Sequence, residues 1–214
     1  MLPTTRPITL AVLCLALTVA CGRPDSTVKP APADSSYSPL PVQNRNPLLD
    51  KSPMDMIYYP VDYPILKMSG KLHSQPIARV IYSRPDKDGR LIFGGVVKYG
   101  TPWRLGANEG TEIELFQDVS ILGQRVKRGR YLLYCVPYEN RWTVVFNGDL
   151  YTWGLKINQR LDIYRFDVPV TLTNSRYEVF TMKFETLEKE VGLSMAWDNV
   201  YTVLPIRGIK KGSE

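Results

Sequence analysis

Residues 180–185 read Phe-Thr-Met-Lys-Phe-Glu, and residues 193–198 read Leu-Ser-Met-Ala-Trp-Asp. In both stretches a large apolar side chain occupies every second position, which is the period of a strand with one buried and one solvated face. Short runs of this kind recur from residue 77 to residue 206, and turn residues separate most of them. The pattern predicts one all-β domain of antiparallel strands, built as a β-sandwich or an open barrel.

Ten strands are predicted from these runs. They cover residues 77–82, 91–97, 111–116, 119–122, 131–136, 142–146, 163–170, 179–184, 193–197 and 201–206. The run over residues 131–136 is apolar on both faces and therefore predicts a central strand. Trp142 and Trp197 fall on inward positions of their strands and are expected in the core. No long stretch keeps the period of 3.6 residues that a helix requires.

The N-terminus has the organisation of an export signal that ends at a lipid-modified cysteine. Arg6 supplies positive charge, an apolar run too short to span a bilayer follows over residues 8–19, and Ala20 directly precedes Cys21. This predicts a lipoprotein signal peptide over residues 1–20 and acylation of Cys21, with an ordinary secretory peptide as the alternative. The predicted partner is the membrane. Because Gly22 is not the aspartate that commonly signals inner-membrane retention, the expected location is the bacterial outer membrane, facing periplasm or surface.

The segment after the signal peptide is rich in proline, serine, aspartate and asparagine and has little apolar periodicity. It predicts a disordered tether over residues 21–56, followed by the β domain over residues 57–208 and a flexible tail over residues 209–214. A proline-rich chain extends by about 3.1 Å per residue, so the tether can hold the domain several tens of ångströms from its anchor.

Composition argues against several classes of function. Cys14 leaves with the signal peptide and Cys21 carries lipid, so Cys135 cannot form an intramolecular disulfide and is expected to be a buried, inert thiol. With His73 as the one histidine, the usual zinc site is not expected, and no metal or cofactor is predicted. The net charge is +6, but the lysine and arginine residues are interleaved with acidic residues and do not form a cluster. This distribution does not indicate nucleic-acid binding.

Several motifs occur in the order found in a known family. They are Tyr82-Ser83-Arg84-Pro85, Phe93-Gly94-Gly95, Val97-Lys98-Tyr99-Gly100, Trp103-Arg104-Leu105-Gly106-Ala107-Asn108-Glu109 and Trp153-Gly154. On these motifs the chain resembles the uncharacterised bacterial domain-of-unknown-function family 2911, from about residue 82 to residue 206. The resemblance implies an exported, mainly β domain and brings no activity, substrate or catalytic residues. Gly110 departs from the alanine usual in the family.

The loop over residues 103–109 is the first candidate site. Trp103 can stack on a sugar or another ring, Arg104 can clasp a carboxylate or a phosphate, and Asn108 with Glu109 can hydrogen-bond hydroxyl groups. The structural alternative is that Trp103 fills the core and Arg104 pairs with Glu109 or Glu112.

Four further residues are candidates near this loop. Ser83 and Arg84 follow one predicted strand and Lys98 ends another, so they are expected at the same rim. Trp153 lies in an irregular segment and is expected to fill the core or seal an edge, with an exposed platform for a ligand as the alternative. A Ser83–Lys98 pair would make the serine nucleophilic, whereas a Ser-His-Asp triad is poorly supported.

Taken together, these residues predict a lipid-anchored cell-envelope protein that binds without catalysis. The expected ligand is a small molecule, a glycan or an envelope protein. The alternative function is an envelope hydrolase of glycans or esters that uses the loop over residues 103–109. For a glycosidase, Glu112 would be the second carboxylate.

Overall fold

A computed structural model describes residues 51–188 and 190–208 of the protein. The predicted signal peptide, the lipidation site at Cys21, the tether up to residue 50 and the tail over residues 209–214 lie outside the described residues. The strands are β1 Met54–Tyr59, β2 Ala78–Ser83, β3 Glu112–Leu115, β4 Val119–Ile121, β5 Gln124–Val126, β6 Gly129–Pro137, β7 Arg141–Asn147, β8 Asp162–Thr186 and β9 Val191–Gly208. A short helix, α1 Tyr63–Met68, follows β1, and one 3-10 turn covers Gln159–Leu161.

The described strands form one antiparallel sheet in the order β1-β2-β3-β6-β7-β8-β9-β4-β5, and the sheet does not close into a barrel. The predicted all-β single domain is therefore confirmed. Strand β6 lies between β3 and β7, and its residues from Tyr131 to Pro137 are buried, as expected for a central strand. Strand β1 begins at Met54, three residues before the predicted start of the domain, and pairs with β2 at one edge of the sheet.

The longest strand, β8, carries the chain from one half of the sheet to the other. Its first part pairs with β7, with Val168 opposite Trp142, and its second part pairs with β9, with Met182 opposite Met195. The sequence predicted two strands here because Asn174-Ser175 is a turn signal. In the structure the strand continues through these residues, and the pairing register with β9 shifts between Leu172 and Thr181. Such a bulge bends a strand without ending it.

The sheet folds over so that β2 meets the second part of β8, although the two are not neighbours in the strand order. The Tyr82 hydroxyl donates to the Met182 carbonyl at 3.1 Å and accepts from the Met182 N–H at 3.0 Å. Just beyond β2, the Phe180 N–H donates to the Pro85 carbonyl at 3.0 Å. Side chains from both halves of the sheet consequently share one hydrophobic core, which includes Trp142 and Trp197 as predicted.

One predicted strand is wrong. Residues 91–97 form a series of turns in which the Gly94 N–H donates to the Val97 carbonyl at 2.8 Å. Gly94 has a φ of +83°, and a Cβ on Gly95 would lie 2.1 Å from the Leu91 carbonyl oxygen. The two glycines therefore allow a tight turn that no larger residue would fit, and this requirement overrides the apolar alternation.

The Tyr82 hydroxyl offers a test of how the sheet is held together. Tyr82→Phe leaves the buried backbone N–H and carbonyl of Met182 without their partner, so we expect the free energy of unfolding to fall by about 1–3 kcal/mol. Tyr58→Phe is the matched control because the Tyr58 hydroxyl bonds only the Met56 sulfur at an exposed position. Urea denaturation monitored by circular dichroism measures both variants. Equal stability losses would contradict the bridging role of Tyr82.

Candidate functional site

Trp103 attaches its loop to the core. Its N–H donates to the Cys135 carbonyl at 2.7 Å, and its carbonyl accepts from the Cys135 N–H at 2.9 Å. The indole contacts four aromatic rings and donates its N–H to the Gly106 carbonyl at 3.1 Å. These rings belong to Phe93, Trp142, Phe180 and Trp197. This is the placement of the structural alternative, in which Trp103 fills the core instead of stacking on a ligand.

Ser83 holds the same loop against β2. Its side chain is fully buried, and its hydroxyl bonds the Ala107 carbonyl while accepting from the Ala107 N–H at 2.6 Å. A Cβ on Gly106 would lie 2.9 Å from the Ser83 hydroxyl oxygen, so the close approach needs a glycine. His73 is exposed and offers no base. Ser83 is thus a clamp on the loop and is poorly placed to act as a nucleophile.

The other predicted rim residues do not gather around Ser83. Arg84 lies 3.5 Å from the Asp55 carboxylate and donates to the Thr181 hydroxyl at 3.3 Å. Lys98 is exposed and contacts the Gly94 carbonyl at 3.5 Å. No hydrogen bond joins Lys98 to Ser83, so the structure gives no support to a serine–lysine pair.

Two predicted candidates meet at a surface cleft of about 360 Å³. They are Glu109, at the end of the Trp103 loop, and Trp153. The cleft is lined by Met54, Ile81, Glu109, Gly110, Glu112, Arg130, Tyr151, Thr152 and Trp153. Asn108, the residue before Glu109, is half-buried, and its amide donates to the Ser52 carbonyl at 3.5 Å. The cleft therefore lies where residues 52–54 enter the domain.

The floor of the cleft is an ion pair between neighbouring strands. Arg130 on β6 hydrogen-bonds the Glu112 carboxylate on β3, and this bond raises the pKa of the Arg130 guanidinium. Arg130 also donates to the Tyr151 hydroxyl at 3.0 Å and lies 5.1 Å from the centre of the Tyr151 ring. The Tyr151 N–H points to Glu112 at 3.4 Å. These contacts fix three side chains in one orientation before any ligand arrives.

Sequence reasoning missed Arg130 and Tyr151. The basic run Lys127-Arg128-Gly129-Arg130 is typical of a hairpin turn. In the structure, β6 begins at Gly129, so Arg130 lies in the strand and the turn lies before it. The available signal was the alternation of β3, which puts Glu112 and Glu114 on one face; antiparallel pairing sets Arg130 opposite Glu114. Tyr151 carried no local signal, because a φ of +61° is unusual for tyrosine and only tertiary contacts hold it.

The walls of the cleft combine exposed aromatic rings with a carboxylate. Tyr151 is 80 % exposed and Trp153 is 53 % exposed, so both rings present apolar surface to solvent. Glu109 is exposed too, and within the described residues it has no hydrogen bond or ion pair. Aromatic faces next to polar acceptors suit a ligand that has both apolar faces and hydroxyl groups.

Arg104 lies behind this wall and lacks the predicted ion pair. Within the described residues it has no carboxylate partner, and its Nε is buried without a hydrogen bond. Burial lowers the pKa of its guanidinium. A Cβ on Gly154 would lie 2.9 Å from the Arg104 Cβ and 3.0 Å from its Cδ, so the stem passes directly beneath that glycine. The structural alternative expected Arg104 to pair with Glu109 or Glu112, and neither ion pair forms.

Other reactive groups give no second site. Cys135 is fully buried, and burial raises the pKa of its thiol well above the usual value, which makes it unreactive. Over residues 51–188 and 190–208, no three histidine, cysteine, aspartate or glutamate side chains are placed to hold a metal ion. In the same part of the chain, no helix has the length and apolar character needed to cross a membrane.

Comparison with known proteins identifies a family for this chain. A family model described as "Protein of unknown function (DUF2911)" matches residues 66–206, which is more than half of the chain. The match includes the Trp103 loop and most of the cleft, and it confirms the resemblance read from the motifs. No curated protein and no solved structure matches the chain.

The unpaired state of Arg104 leads to a prediction on stability. Arg104→Met keeps an unbranched stem under Gly154 and removes a partly desolvated charge, so we expect unfolding free energy to stay constant or rise by up to about 1 kcal/mol. Arg79→Met is the matched control, because it deprives Glu114 of its ion-pair partner and should lower stability by about 1 kcal/mol or more. Thermal denaturation compares the two. A similar loss in both variants would show that Arg104 braces the fold.

Proposed function

The chain belongs to the family described as "Protein of unknown function (DUF2911)", and from the chemistry of its cleft we propose a lipid-anchored protein of the bacterial cell envelope that binds a sugar-containing ligand. The observation that carries the proposal is the exposure of two aromatic rings, Tyr151 and Trp153, in a cleft that also contains the carboxylates of Glu109 and Glu112.

Sugars present the combination of surfaces that this cleft matches. A pyranose ring has apolar C–H faces that pack on aromatic rings, and its hydroxyl groups need hydrogen-bond partners. Trp153 and Tyr151 supply the rings, while Glu109 supplies a carboxylate without a partner among the described residues. The volume of about 360 Å³ lies within the range of small-ligand sites.

The N-terminal sequence supports the envelope location. Residues 1–20 have the pattern of a lipoprotein signal peptide, and Cys21 is the residue that would carry the lipid. The proline-rich tether then gives the domain reach, which suits a protein that meets polymers of the envelope. We propose the outer membrane as the site of attachment.

Binding fits the cleft better than hydrolysis. A glycosidase needs one carboxyl group that gives a proton and a second that acts as base or nucleophile. Glu112 accepts hydrogen bonds from Arg130 and faces the Tyr151 N–H, so it is occupied by structural contacts. Ester hydrolysis by Ser83 is disfavoured as well, because backbone groups of Ala107 occupy its hydroxyl.

The binding proposal predicts a loss of affinity in one variant. We expect Trp153→Ala to weaken binding of envelope polysaccharides and cell-wall fragments by about tenfold, since it removes the stacking surface. Leu155→Ala is the matched control: this residue is 73 % exposed, close in sequence, and does not line the cleft. Calorimetric titration of the mature chain measures both, with released reducing ends followed in parallel. If reducing ends are released and the release requires both Glu109 and Glu112, the protein is a hydrolase and the proposal of binding without catalysis is wrong.

The anchoring proposal is tested by a pair of cysteine variants. Cys21→Ser should abolish incorporation of labelled fatty acid and shift the protein from the membrane fraction to the soluble fraction. Cys14→Ser should leave both properties unchanged, because Cys14 is expected to leave with the signal peptide. Labelling that persists in Cys21→Ser would refute lipidation at this residue.

A further inference from the structure

Arg104 differs from the other half-buried arginines of the described chain. Arg79 hydrogen-bonds Glu114, Arg84 lies near Asp55, and Arg130 hydrogen-bonds Glu112, so each has a carboxylate close by. Arg104 has none within the described residues. Its buried Nε has no acceptor, which is also true of Arg79 and Arg84, so the missing carboxylate is what distinguishes Arg104. A partly desolvated cation without a partner costs stability, and such groups are typical of sites that wait for a ligand.

The position of Arg104 relates it to the cleft. Its stem packs beneath Gly154, the residue directly after the exposed ring of Trp153. A Cβ on Gly154 would also lie 3.3 Å from the Cα of Gly110, which lines the cleft. Arg104 therefore lies immediately behind the wall that carries Trp153. Both close approaches need a glycine, so the loops are built around this side chain.

Arg104 does not line the cleft, but it is the half-buried arginine next to the cleft that has no carboxylate nearby among the described residues. The other guanidinium at this place, Arg130, already binds the Glu112 carboxylate and the Tyr151 hydroxyl. Glu109 is a free carboxylate on the same side and would repel an anion that came close to it. The anionic group of a ligand is therefore favoured at a position away from Glu109.

We propose that Arg104 forms an anion-binding subsite beside the cleft, and that the sugar bound there carries a carboxylate or a phosphate group. This inference rests on the proposed sugar binding and names its class: uronic acids or sugar phosphates. The neutral ring packs on Trp153 and its hydroxyl groups reach Glu109. The planar guanidinium then donates to two oxygens of the anionic group, which is the bidentate geometry that arginine favours.

The experiment is a nuclear magnetic resonance titration of the mature chain with matched sugars. The probes are glucose and galactose, their uronic acids, their 6-phosphates, and inorganic phosphate alone. The Trp153 indole N–H signal reports ring stacking, and the Arg104 Nε–H signal reports the anion; Trp153→Phe and Arg104→Lys assign the two signals. We expect at least one acidic sugar to shift both signals and to bind at least about tenfold more tightly than its neutral counterpart.

Arg104→Met separates this inference from the function on which it rests. It should abolish the preference for the acidic sugar while neutral sugar still shifts the Trp153 signal. Equal affinity for acidic and neutral sugars in the unmodified protein, or a preference that persists in Arg104→Met, would overturn the anionic subsite and leave sugar binding standing. If no sugar shifts the Trp153 signal, sugar binding itself fails. Inorganic phosphate that shifts Arg104 while no sugar does so also overturns the acidic-sugar assignment.

Discussion

The packing of the Trp103 indole against four aromatic rings is the constraint on which the site depends. It fixes the start of the loop in the core, and the Ser83 hydroxyl fixes the far side through Ala107. Between these two points the chain has little freedom, so Arg104 is held under Gly154 and Glu109 emerges at the cleft. Within this loop, Trp103 and Ala107 hold the chain in place, and Glu109 is exposed at the cleft.

The fold class could be predicted because alternation of apolar and polar residues is a local property of each strand. Strand continuity could not, because the register shifts in β8 depend on pairing with β9, which the sequence does not display. The sequence predicted some of the residues that line the cleft and missed others. Glu109 and Trp153 carried local signals, whereas Arg130 and Tyr151 acquire their place only when β6, β3 and a distant loop come together. Arg84 and Lys98 were expected near Ser83 through strand ends alone, and strand ends do not determine which side chains meet.

Charge pairing separates structure from function on this surface. The ion pairs of Arg79 with Glu114 and of Arg130 with Glu112 link neighbouring strands of the sheet. In each pair the two charges neutralise each other, and the contact holds the two strands together. Glu109 and Arg104 carry opposite charges that do not pair with each other: Glu109 precedes Gly110, and the stem of Arg104 packs against Gly154. Within the described part of the chain, neither charge forms an ion pair that stabilises the fold, so both are available to the ligand that we propose.

Met54 is the first residue of β1 and also lines the cleft. In the lipid-anchored protein that we propose, a mechanical load from the anchor would enter the described domain just before this residue. It would act first on the hydrogen bonds of the Ser52 carbonyl with Asn108 and of the Pro53 carbonyl with the Arg84 N–H. The pair of Met54 with Ser83 and the remaining pairs of β1 with β2 would be loaded after them. With the anchoring and the binding that we propose, tension between the anchor and a bound polymer would deform the cleft at Met54 before it reached the core.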